Sequence, residues 1–166
     1  MTTTFMAILA ALALAPAPRD TVPLYTDLGT LEVPITTSVP LAQRYFDQGM
    51  VLGFGFNHAE AIRSFRAAQK LDPNCAMCFW GEAFALGPNI NAPMNPADND
   101  AAYAASRAAA ARAEHGGAPE QALIEALQVR YTRIAPENRA GLDGAFADAM
   151  GAVANRFPDQ DTIQTI

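Results

Sequence analysis

A pattern of aromatic, small and apolar residues returns after thirty-four positions: Tyr45, Gly49 and Leu52 are echoed by Phe79, Ala83 and Leu86. Between them stand an Ala61/Phe65 pair and an Asp72-Pro73 step. Residues at steps of three and four share one helix face, and the small one leaves room for a neighbouring helix. Ala61 and Phe65 supply the second helix of the unit. Pro73 closes it, because proline cannot continue a helix interior. A chain of this kind is a stack of helix–turn–helix units, each burying its apolar face against the next. The echo fixes the kind of object and names no ligand.

With 166 residues there is length for one domain with a real core. Eleven basic residues against seventeen acidic leave a formal net charge of -6. No basic stripe is present, so the electrostatic footprint of a nucleic-acid binder is missing. Residues 5–14 are uncharged and apolar, and Ala13-Leu14-Ala15 or Ala15-Pro16-Ala17 offers a small-x-small cleavage site. Residues 1–17 therefore read as a signal peptide, although no Lys or Arg precedes the apolar run. The expected location is periplasmic or extracellular. The run is well short of the roughly twenty residues a membrane helix needs, so no membrane span is expected in the mature chain.

Residues 18–37, rich in Pro, Thr and Asp, read as an extended arm or linker. A helix opens at Val39-Pro40 and presents Leu41, Tyr45, Phe46 and Leu52. Asn57, with Glu60 three places on, predicts an N-cap and a capping box. The helix behind it is expected to bury Ile62, Phe65, Ala68 and Leu71, with Arg63, Arg66 and Lys70 toward solvent. Asp72 then caps a third helix with Pro73 at its first position, and Met77, Phe79, Trp80 and Phe84 fall along it. Residues 87–96 hold three prolines and three asparagines, which excludes helix and strand; an ordered loop of that length usually carries function. Helices are expected again over 98–114, 119–131 and 142–157. Residues 159–166 look like the start of a further unit, so the chain reads as a fragment of a longer protein with a truncated or frayed tail.

A helix of about fourteen residues spans roughly 21 Å, which separates the candidate chemistry into two poles. Asn57, His58, Glu60, Asn89 and Asn91 fall at one, Cys75 and Cys78 at the other. A single metal site joining His58 to both sulfurs is disfavoured, and no metal or cofactor is expected. Cys-x-x-Cys at a helix start can lower a thiol pKa. The strands of a thioredoxin-like fold are missing, however, Phe79 stands where haem attachment needs His, and a zinc site would need a second ligand pair. The pair reads as a structural disulfide or as two buried thiols steadying a junction. His58 reads as a helix-start residue tying down the loop, or as a small-ligand or metal contact. Met77, Trp80 and Phe84 recur at steps of three and four, so they are either core or the apolar wall of a concave groove, with Asn89 and Asn91 beside it. No catalytic residues stand out.

The segments Tyr45-Phe46-Asp47-Gln48-Gly49, Gly55-Phe56-Asn57-His58-Ala59-Glu60-Ala61, Cys75-Ala76-Met77-Cys78-Phe79-Trp80-Gly81-Glu82-Ala83 and Gly87-Pro88-Asn89-Ile90-Asn91 resemble a family of bacterial, mostly exported tetratricopeptide repeat (TPR) proteins. The resemblance covers residues 35–131. It implies an all-α fold, a TPR-like right-handed superhelix of antiparallel helix pairs over 38–158, and a binding or scaffolding role without established catalytic residues. Members are much longer, with a histidine-rich second half. The expected function is a non-enzymatic interaction module that holds an unknown peptide or protein segment in its groove through Met77, Trp80, Phe84, Asn89 and Asn91. The alternative is a metal- or small-ligand-binding protein using His58 and the Asn89/Asn91 loop, or Cys75 and Cys78.

Overall fold

The structure is a computed structural model that describes residues 21–166. The expected signal peptide over 1–17 and residues 18–20 of the expected arm lie outside the described residues. Every regular element among the described residues is helical: α1 (Pro40–Phe54), α2 (His58–Leu71), α3 (Ala76–Leu86), α4 (Asn99–Ala110), α5 (Ala118–Leu127), α6 (Ala140–Arg156) and α7 (Asp161–Thr165). Short 3-10 turns at Pro96–Asp98 and Ala113–His115 flank α4. Each helix packs on its neighbour in sequence, and α3 also touches α1 and α5. The protein is thus all-α, with α3 at its centre. No helix among the described residues is long and apolar enough to cross a membrane.

Local chemistry sets the helix ends. Pro40 opens α1, where its fixed φ costs nothing. Asn57 caps α2, its side-chain oxygen accepting from the Glu60 N–H at 3.4 Å. The other half of the expected capping box is absent, because the Glu60 carboxylate binds Arg63 at 2.8 Å instead. Asp72 and Pro73 do not open α3. Asp72 closes α2, and its carboxylate accepts from the Asn74 N–H at 3.0 Å to hold a turn. The cap of α3 is Cys75, whose sulfur accepts from the Cys78 N–H at 3.1 Å. Residues 159–166, expected to be a truncated or frayed tail, contain α7, which buries Ile163.

Residues 21–37 run along α1, which binds them through side-chain amides and a carboxylate. Gln48 donates to the Pro23 carbonyl and accepts from the Tyr25 N–H at 2.8 Å. Asp47 accepts from Val33 at 2.9 Å, and Gln43 accepts from Ile35 at 3.0 Å. An extended segment has no internal partners for its peptide groups, so these polar residues satisfy the backbone that the arm brings against the helix. Burial raises the Asp47 carboxyl above its ordinary value, partly opposed by its bonds from Val33 and Gln43.

The α2 faces differ from the expected amphipathic pattern, and Ile62 is only half-buried. Leu71 is exposed, whereas Ser64 is buried and bonds both the Glu60 carbonyl and Gln48. Arg66 is not simply solvated: it reaches across to the mostly buried Glu82 of α3 at 2.7 Å. Cys75 and Cys78 form a disulfide within a small separate core with Ala42 and Ala68. Closing so short a loop removes little chain entropy, so reduction is expected to cost about 2 kcal/mol. A thermal melt with and without dithiothreitol measures it. An unchanged midpoint after verified reduction would show that the bond adds nothing to stability.

Candidate functional site

A cleft of about 460 Å³ opens where the α1–α2 turn, the end of α3, the loop after it and the α6–α7 end of the molecule meet. The α1–α2 turn brings Phe56 and His58. Phe56 holds a left-handed backbone with φ of 61°, a region that costs a non-glycine residue about 1–2 kcal/mol. Its ring stands edge-on to the His58 imidazole at 6.1 Å between centroids. His58 begins α2, and both of its ring nitrogens are shut off from water without a hydrogen-bond partner.

The loop over 87–96 is ordered by its own amide chemistry. The Asn89 side-chain oxygen accepts from the N–H groups of Asn91 and Ala92 at 2.9 and 3.1 Å. Backbone bonds between Asn89 and Ala92 close the turn. Ile90 sits at its tip, 91% exposed. The root of the loop is Gly87, where an added Cβ would collide with the Tyr131 hydroxyl and the Arg130 guanidinium. Only glycine lets this chain segment lie so close to both. Arg130 then donates to the Pro88 carbonyl at 2.6 Å and, weakly, to the Phe84 carbonyl at 3.5 Å.

Arg130 is also a wall of the cleft. It is 6% exposed, and its guanidinium lies over Phe146 at 4.3 Å and near Phe84 at 5.6 Å. Burial pulls its pKa down from the ordinary value, and the neighbouring Tyr131 and Asp143 partly restore it. Burial likewise raises the pKa of the Tyr131 hydroxyl, which donates to the Ala83 carbonyl. Asp143, on α6, lines the cleft and pairs with Arg139 at 3.3 Å.

Of the residues expected to form a groove, Phe84 and Asn89 do line this cleft. Met77 and Trp80 do not, and the expectation for them is corrected. Met77 is 4% and Trp80 0% exposed. Trp80 stacks on Phe84 with centroids 5.0 Å apart, and its indole N–H donates to the Leu123 carbonyl at 3.1 Å. Because α3 is covered on nearly all sides, its aromatic stripe meets other helices instead of solvent. Asn91 is exposed outside the cleft, and Asn57 is exposed as the cap of α2.

The separation into two poles holds: His58 and Asn89 share the cleft, while Cys75 and Cys78 lie in their own core. With both cysteines bonded and buried, neither offers a thiolate to a metal or an outside thiol. Among the described residues no group of His, Cys, Asp and Glu stands together as a metal site. Sequence reasoning passed over Phe54, Phe56, Arg130, Asp143 and Phe146. Only the close tertiary approach of α6 and the Gly87 root makes them a set. No protein-family description, curated protein or solved structure matches this chain.

Proposed function

We propose that the protein is a non-enzymatic binding protein, an exported helical-repeat module of TPR-like right-handed superhelical build, whose small organic ligand enters the cleft between His58 and the Asn89 loop. The observation that carries this reading is the cleft itself. It combines aromatic walls with a few polar groups that the protein leaves without partners, the usual make-up of a small-molecule site. Its volume falls within the range of about 300 to 1,000 Å³ common for such sites. The metal-binding form of the idea lacks a donor set among the described residues.

Phe56 supplies the test. Phe56→Gly removes the backbone strain and should leave stability unchanged or raise it by about 1 kcal/mol. The same change strips the cleft of one aromatic wall and should weaken any ligand that a thermal-shift screen of small organic compounds identifies. A hit that binds the glycine variant as well as the wild type would place the ligand elsewhere.

A second reading, recognition of a peptide or protein segment, is favoured by the exposed apolar lip of Phe54, Phe56 and Ile90. A displayed random-peptide library separates the two. Peptides selected by the wild type and lost in Ile90→Asp would favour the segment. Small molecules bound equally by both would favour the enclosed ligand.

A further inference from the structure

A guanidinium withdrawn from water normally has a carboxylate beside it, because desolvating an ion is costly unless a counter-charge and full hydrogen bonding offset it. Arg130 departs from that rule. Among the described residues no carboxylate lies within ion-pair distance of it. Its protein partners are two carbonyl oxygens and the neighbouring Tyr131 hydroxyl, and its Nε has none. Asp143, the acidic residue in the cleft wall, is already bonded to Arg139. Arg130 thus stands near one side-chain carboxylate that another guanidinium already holds. His58 lines the same cleft, with both ring nitrogens unpartnered and closed off from water.

We propose that the cleft is a carboxylate site. It takes a small organic acid bearing one carboxylate on an aromatic or aliphatic body, with the charge on Arg130 and the body among Phe54, Phe84 and Phe146. The inference deepens, and rests on, the reading of the cleft as a small-ligand site. Arginine suits the role because its planar fork matches both oxygens of a carboxylate. The rings against it exclude water, which strengthens that attraction. Asp143 disfavours a ligand with two negative charges, because the second would lie near another carboxylate. The aromatic walls supply the apolar part of the affinity, so an acid with no body is a poor ligand.

Isothermal titration on the full chain tests this with acetate, phenylacetate, phenylbutyrate and decanoate, each beside its primary amide, and with inorganic phosphate. Phenylbutyrate or decanoate is expected to bind at least about tenfold more tightly than its amide, the difference a charge-assisted bond supports. Acetate and phosphate are expected to bind weakly. Asp143→Asn should tighten acid binding several-fold relative to the matching amides. Arg130→Met should abolish acid binding if the variant folds, and the acid–amide pairs with Asp143→Asn carry the test if it does not. Acids and amides binding equally would overturn the carboxylate assignment while leaving the ligand site intact. No binding by either would sink both readings. Phosphate binding as tightly as the acids would show that the cleft reads charge without a body, which also overturns the proposal.

Discussion

Trp80→Ala is expected to destabilise the protein by about 3–5 kcal/mol, as for a large aromatic removed from a packed core. The indole is fully buried, stacks on Phe84 and donates to the Leu123 carbonyl. Truncation therefore opens a cavity between α3 and α5 and removes the bond to the Leu123 carbonyl. Trp80 is the only tryptophan in the chain, so unfolding should be followed by circular dichroism in urea, the fluorescence signal being lost with the residue. Trp80→Phe keeps a ring against Phe84 and should cost much less. A Trp80→Ala variant within about 1 kcal/mol of wild type would mean that this side chain is not core, since surface substitutions fall in that small range.

The second large effect concerns one aromatic ring held between two glycines. Phe65 of α2 is buried against Phe46, with ring centroids 5.4 Å apart. An added Cβ at Gly49 of α1 would come within 2.5 Å of the Phe65 ring, and one at Gly81 of α3 would approach as closely. Gly49→Ala and Gly81→Ala each overpack this junction, at a cost of about 1–3 kcal/mol. The double variant should lose more than the sum, because the ring then has no side to move toward. Phe65→Leu in that background should recover part of the loss. Gly151 of α6 is the control: nothing lies near its missing Cβ, so Gly151→Ala should stabilise by about 0.5–1 kcal/mol through helix propensity. Chemical denaturation of the five variants beside the wild type gives the signs directly. Stabilisation at Gly81 as well as at Gly151 would contradict the packing described.

These two predictions also mark how far sequence reasoning reached. The repeat pairs Gly49 with Ala83, yet the residue that meets Phe65 from α3 is Gly81. Alignment along the chain reports which positions are alike; the roll of one helix against the next decides which of them touches the wedge. The same limit applies to Met77, Trp80 and Phe84. Their spacing placed them on one face of α3, but it could not say whether that face met solvent or other helices. Phe84 reaches the cleft because it lies near the end of α3, beside the Gly87 root, whereas Met77 and Trp80 lie deeper along the helix.

What the sequence decided alone was local. Proline at the start of α1, the Asn57 cap and the three- and four-residue apolar steps are read within a turn or two of chain, where backbone geometry leaves few alternatives. The separation of the His58 end from the cysteine pair followed too, from the rise of a helix per residue. The tertiary structure decided which residues meet at the cleft. Arg130 is 42 residues from the Pro88 carbonyl it binds, and Asp143 and Phe146 arrive on α6. No short-range pattern encodes such meetings, because they depend on how several helix faces pack together at once. The same packing strips water from Arg130 and gives an otherwise ordinary arginine its place in the site.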